Sequence, residues 1–183
     1  MSMIGNTLLN EIIHEDKLFS PSQILEKLHE GVCFALKQGK DQEHSRDDGM
    51  DITVCCYDKE KNNLQISCAN HQALIIRDGE PEVIEGDIYS IGGAFMDLPD
   101  VKYTDNTIDI EKGLTLYMFS DGYYDQFGGQ DGSKYMVSRF KELLAKNSSL
   151  SMDEQQTSLE KEFEDWKGSN NQVDDVLVVG VRV

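Results

Sequence analysis

Between Met50 and Phe119 the chain is cut into short stretches in which strand-forming apolar residues are closed off by turn signals. That punctuation limits what it can fold into more than any other feature. MDITVCCYD (50–58) and LQISCAN (64–70) flank KEKNN and read as a hairpin. ALIIRDGEPEVIEG (73–86) reads as a second, with Asp78-Gly79 at its turn. IYSIGGAF carries a Gly-Gly break, YTDNTIDIEKG alternates like an edge strand, and LTLYMFSDG reads as a central one. The expectation is a β-meander running from Met50 to about Phe119.

Helical spacing brackets this region. Ile4, Leu8, Leu9, Ile12 and Ile13 share one face. Ser20-Pro21 starts a second helix, with Ser20 as cap, and Ile24, Leu25, Leu28, Val32, Phe34, Ala35 and Leu36 follow at helical spacing. GKDQEHSRDDG (39–49) is polar and glycine-bounded, and reads as a mobile loop. Tyr135 to Lys146 is helical, and so is Ser151 to Gly168, where Ser151-x-x-Glu154 forms a capping box and Gly168 a stop. The closing VLVVGVRV (176–183) is apolar enough to be buried on both faces. The pattern is α+β: an antiparallel β-sandwich flanked by helices, in one domain over residues 1–183.

Charge narrows the function. The formal net charge is −17, so the chain repels nucleic acid and anionic membrane, and suits a cation or a basic partner. Solvation of an ordinary globular surface accounts for the same charge. Cys33, Cys55, Cys56 and Cys68 form no CxxC pair and read as thiols in a reducing compartment. No apolar run is long enough to span a membrane and no signal peptide is recognisable, which points to a cytoplasmic protein.

Two stretches place acids at strand ends. In LYMFSDGYYDQFGG a greasy run stops at Ser120-Asp121-Gly122, and in VDDVLVVGVRV Asp174-Asp175 runs straight into an apolar strand. If the two strands are neighbours, their carboxylates converge at one edge and repel unless a divalent cation lies between them. Oxygen-only ligands favour magnesium or manganese over zinc. An Asx turn at Asp121 and a loop cap at Asp174 or Asp175 explain the same residues without a metal.

These residues carry a resemblance. LYMFSDGYYDQFGG resembles the strand and T/S-D-G turn of the SpoIIE-type serine phosphatases, bacterial members of the metal-dependent PPM (PP2C-like) protein phosphatases. VDDVLVVGV resembles their terminal D-D strand, ISCANHQALIIRDGEPEVIE their "ANAGHPP" strand pair, and MSMIGNTLLNEII the helix after their glycine-rich turn. The motifs recur in family order from end to end. The resemblance implies that Asp121 and Asp174 are metal ligands, with Asp175 and His71 supporting them. It implies a centre of two Mn²⁺ or Mg²⁺ ions that activates a water toward a phosphoserine or phosphothreonine. The implied substrate is a regulatory protein such as a partner-switching (anti-anti-sigma type) regulator.

The family's metal-bridging D-G and its D-x-x-G-H-G turn precede the opening helix, and neither occurs in this sequence. The expectation is therefore the C-terminal part of a phosphatase domain, below an upstream sensor domain. Slow turnover on its own and a sheet edge open to homodimer pairing are also expected. A catalytically incomplete interaction module with at most one metal site, and an acidic cation-binding domain, stay open beside the enzyme.

Overall fold

The computed structural model describes residues 1–38, 48–93 and 101–183. Within these it divides into two compact units, Met1–Gln72 with Ile84–Ile110 and Ala73–Val83 with Glu111–Val183.

In the first unit the two helical stripes form α1 (Ser2–His14) and α2 (Pro21–Ala35). They pack closely because α2 carries Gly31, where an added Cβ would lie 2.8 Å from a Leu8 methyl carbon. Pro21 opens α2 as expected, but Ser20 does not cap it with its own side chain. Asp105, distant in sequence, takes that place. It accepts from Ser22 N at 2.7 Å, from Ser20 Oγ at 2.6 Å and from Ser22 Oγ at 2.8 Å. A carboxylate there also meets the positive end of the helix dipole.

Strand β1 (Gly49–Met50) pairs with β6 (Ile91–Gly92), and among the described residues with no other strand. β2 (Ile52–Asp58) and β3 (Asn63–Ala69) form the expected hairpin. Asp58 Oδ1 accepts from the amides of Glu60 and Lys61 at 3.0 Å each and shapes its turn. β7 (Asn106–Asp109) takes the far side of β3, so the alternating edge strand is indeed an edge. Leu25, Leu28 and Val32 of α2 pack with Ala69 and Ile91 in this unit's core.

In the second unit β4 (Gln72–Arg77) and β5 (Glu80–Glu85) turn at Asp78-Gly79, both at positive φ (49° and 85°), as a two-residue hairpin demands. β8 (Thr115–Phe119) is central, flanked by β4 and by β11 (Val178–Arg182) in the order β11-β8-β4-β5. A small hairpin, β9 (Phe127–Gly128) with β10 (Ser133–Lys134), had no sequence signal. α3 (Val137–Asn147) and α4 (Met152–Lys167) follow, α4 with the expected capping box between Ser151 and Glu154. Their aromatic core includes Phe119, Tyr123, Tyr135, Phe140 and Phe163, with Phe119 and Phe140 edge to face at 5.1 Å.

Three expectations are corrected. The strands are not one meander, since β3 pairs with β7 and β4 with β8. Ser20 is not a self-sufficient cap. VLVVGVRV is not buried on both faces: β11 is an edge strand, and Val179 and Val181 are exposed. An apolar run signals a sheet position but cannot say how many neighbours cover it. Of the loop read over 39–49, residues 39–47 lie outside the described residues, as does the Ala94-Phe95 end of IYSIGGAF. Among the described residues no helix is long and apolar enough to cross a membrane.

Candidate metal site at the strand tips

β8 ends in Ser120, and Ser120 is the joint between the two acidic segments. Its amide donates to Leu177 O at 2.9 Å. Its Oγ donates to Asp175 O at 2.7 Å and accepts from Leu177 N at 2.9 Å. The S-D-G turn and the D-D segment are thereby bonded together just beyond the β8–β11 ladder, whose last pair is Val178 with Phe119.

Asp121 is exposed, and its carbonyl accepts from Asp125 N at 2.9 Å to form the turn. Gly122 is there for close approach: a Cβ would sit 2.4 Å from Asp175 O. Asp174 and Asp175 are exposed as well. Asp174 Oδ1 accepts from Asp175 N at 2.7 Å, and Asp174 O accepts from Gln172 Nε2 at 2.8 Å. A groove of about 700 Å³ opens beside this segment between α4 and β11, lined by Tyr117, Leu159, Phe163, Gln172, Val176 and Val178.

The structure therefore brings Asp121 together with Asp174 and Asp175 at the level of their main chains. His71 belongs to the first unit, where its Nδ1 lies 3.0 Å from Thr53 Oγ1 and its carbonyl accepts from Gly86 N at 3.1 Å.

The donor chemistry suits a hard divalent cation, because every candidate ligand is a carboxylate oxygen. Among the described residues no group of three or more His, Cys, Asp or Glu is arranged to hold a metal ion. The residues present thus fit at most part of one coordination sphere, with one exposed carboxylate on the S-D-G turn and two on the D-D segment.

Sequence reasoning singled out neither Ser120 nor Gln126, although both lie inside the quoted stretch. Ser120 served there only as the residue before the aspartate. The glycines of D-Q-F-G-G (125–129) have a structural reason that only the fold reveals. Asp125 pairs with Lys134 at 2.8 Å across the base of the β9–β10 hairpin. Gly129 N donates to Trp166 O at 2.8 Å, and a Cβ on Gly128 would lie 1.9 Å from that same oxygen. The two glycines let this backbone cross that of Trp166 closely.

The model of the family described as Stage II sporulation protein E (SpoIIE) matches residues 1–183. A comparison with curated protein sequences finds no match. Among solved structures, the SiaA-PP2C domain of Pseudomonas aeruginosa is similar with a TM-score of 0.86 and 21% identity, over 100% of this chain and 68% of that one. The RsbU and RsbW domains of a Mycobacterium tuberculosis protein are similar with a TM-score of 0.70 and 15% identity, over 97% of this chain and 45% of that one. The PP2C phosphatase domain with a regulatory fragment of SpoIIE from Bacillus subtilis gives 0.67 and 15%, over 98% and 48%. The chain spans about half the length of the latter two. At these identities the structures establish the fold, an α+β fold of PP2C type.

Proposed function

The chain belongs to the SpoIIE family of PP2C-like phosphatase domains, and on that premise we propose that it serves a metal-dependent protein serine/threonine phosphatase acting on a regulatory phosphoprotein. The observation that carries this reading is the Ser120 joint. Its bonds to Asp175 O and Leu177 N hold a D-D segment beside an S-D-G turn, and each segment offers an exposed carboxylate. Two such carboxylates are better paired than left facing each other, and Mn²⁺ or Mg²⁺ is the pairing their oxygens favour. When bound, such ions supply positive charge for phosphoryl oxygens and acidify a water. Asp121 and Asp174 hold the ion, while Asp175 braces Asp174 through the bond from its amide to Asp174 Oδ1. The exposure of all three leaves room for a phosphorylated side chain on a partner protein.

The test is Mn²⁺-dependent hydrolysis of p-nitrophenyl phosphate and of a phosphoserine peptide by the chain and by Asp121→Asn and Asp174→Asn. Either substitution should lower the rate by about 10²-fold or more, since the loss of metal-derived charge removes several kcal/mol of transition-state stabilisation. A rate that survives both substitutions refutes the assignment.

One observation favours a second reading. Among the described residues the carboxylates do not form a group of three or more that could hold a metal. On that footing the domain is an interaction module with at most one weak cation site. It would bind a phosphorylated regulator without releasing phosphate, which a binding assay run beside a phosphate-release assay detects.

A further inference from the structure

We propose that Gln126 is a positioning residue that sets Asp174-Asp175 against the S-D-G turn, an inference that rests on the cation-site reading above. Gln126 is 0% exposed, and its main chain is fixed independently of the acidic segment. Its carbonyl accepts from Tyr135 N at 3.0 Å and from Trp166 Nε1 of α4 at 3.0 Å. From that anchored base the side chain reaches into the segment that leads to the aspartates. Nε2 donates to Asn171 O at 3.0 Å and to Phe127 O at 2.9 Å, and Oε1 accepts from Val173 N at 3.4 Å.

Residues 171–177 lie in no helix or strand, so no ladder orders them. Ordering such a segment costs backbone entropy, which it recovers through a few bonds. They come from two places. Ser120 grips Asp175 and Leu177 on the strand side, and Gln126 grips Asn171 and Val173 on the helix side. Asp174 is the residue between the two grips. Both grips issue from the seven-residue run Ser120 to Gln126, which also contains Asp121. One short stretch thus carries one carboxylate and holds the other in register with it. A buried primary amide suits the task, because it offers both a donor and an acceptor, on separate atoms, to the two ends of one peptide segment.

The experiment uses the whole chain with Mn²⁺ as the probe. Gln126→Met keeps the size of the side chain and removes its polar atoms, and Gln126→Asn keeps the amide one methylene shorter. Leu144→Ala, in the core on α3, serves as a stability control. Hydrogen exchange at residues 172–177 and Mn²⁺ affinity by calorimetry are the two readouts. Gln126→Met should speed exchange there by about tenfold and weaken Mn²⁺ by about tenfold, the lower end of what loss of a ligand-orienting contact costs. Gln126→Asn should fall between, and Leu144→Ala should lower the melting temperature with Mn²⁺ affinity intact. Unchanged exchange, unchanged affinity, or an equal affinity loss in Leu144→Ala overturns the proposal. Asp121→Asn separates the two levels. If it leaves Mn²⁺ uptake untouched, the cation-site reading fails. If it abolishes uptake while Gln126→Met does not weaken it, only the positioning role fails.

Discussion

Gly128 has no room for a methyl group, since the position a Cβ would take is 1.9 Å from the Trp166 carbonyl oxygen. Backbone cannot yield as a side chain can, so Gly128→Ala should destabilise the chain by about 1–3 kcal/mol, the usual range for forced overpacking. Urea denaturation would read this as a fall in midpoint at constant slope. His29 gives a second residue-scale prediction. It is buried on α2, and its Nδ1 accepts from Gly92 N at 3.1 Å, which requires the ring to be neutral at that nitrogen. Burial pushes its pKa below the ordinary value. The unfolded chain therefore binds more protons than the folded one between the two pKa values. Stability is full above the unfolded pKa of about 6.5 and falls as pH drops from there toward the folded pKa. Denaturation midpoints between pH 5 and 8 should show this slope, and His29→Gln should flatten it. The sequence marked Asp121, Asp174 and Asp175 because carboxylates beside apolar strands are conspicuous. It did not mark Gln126 or Asp105, whose roles rest on partners far along the chain.

At the scale of elements, nearly everything set by local pattern was legible: helices α1 to α4, the β2–β3 and β4–β5 hairpins, the capping box and the edge character of β7. What could not be read was which strands meet. β4 joins β8 across more than 35 residues of chain, and no local periodicity encodes so distant a pairing. β11 shows the cost of that gap, because its run of valines reads as a fully buried strand. Val181 is instead 43% exposed at the sheet edge, opposite Leu116 on one side only. Val181→Lys should accordingly change stability by no more than about 0.5 kcal/mol. An apolar edge also invites pairing with a second copy, and a lysine there is a common way to prevent it. Light scattering at rising concentration should show self-association in the parent chain and a monomer in Val181→Lys. Strict monomers in both would remove the edge-paired homodimer.

For the molecule as a whole, charge makes the cation question measurable without any substrate. A net charge of −17 means that salt of any kind relieves self-repulsion, so a rise in melting temperature with MnCl₂ alone would prove little. The informative quantity is the excess over NaCl at equal ionic strength. A cation that binds only the folded chain stabilises by RT ln(1 + [L]/Kd), about 2.7 kcal/mol when free Mn²⁺ is 100 times Kd. For a chain of this size that is a rise of about 5–10 °C. Screening acts on every carboxylate nearly alike, and removing one of 34 acids would barely alter it. Binding at the strand tips instead depends on two of them. Asp174→Asn should therefore lose most of the Mn²⁺-specific excess and keep the NaCl response, and Asp121→Asn should do the same. A variant at an acid outside the tips, such as Glu142 on α3, should keep both responses. If the excess is absent from the parent chain, or spreads evenly over all three variants, the cation is held by the general charge of the surface and not by the turn that ends β8.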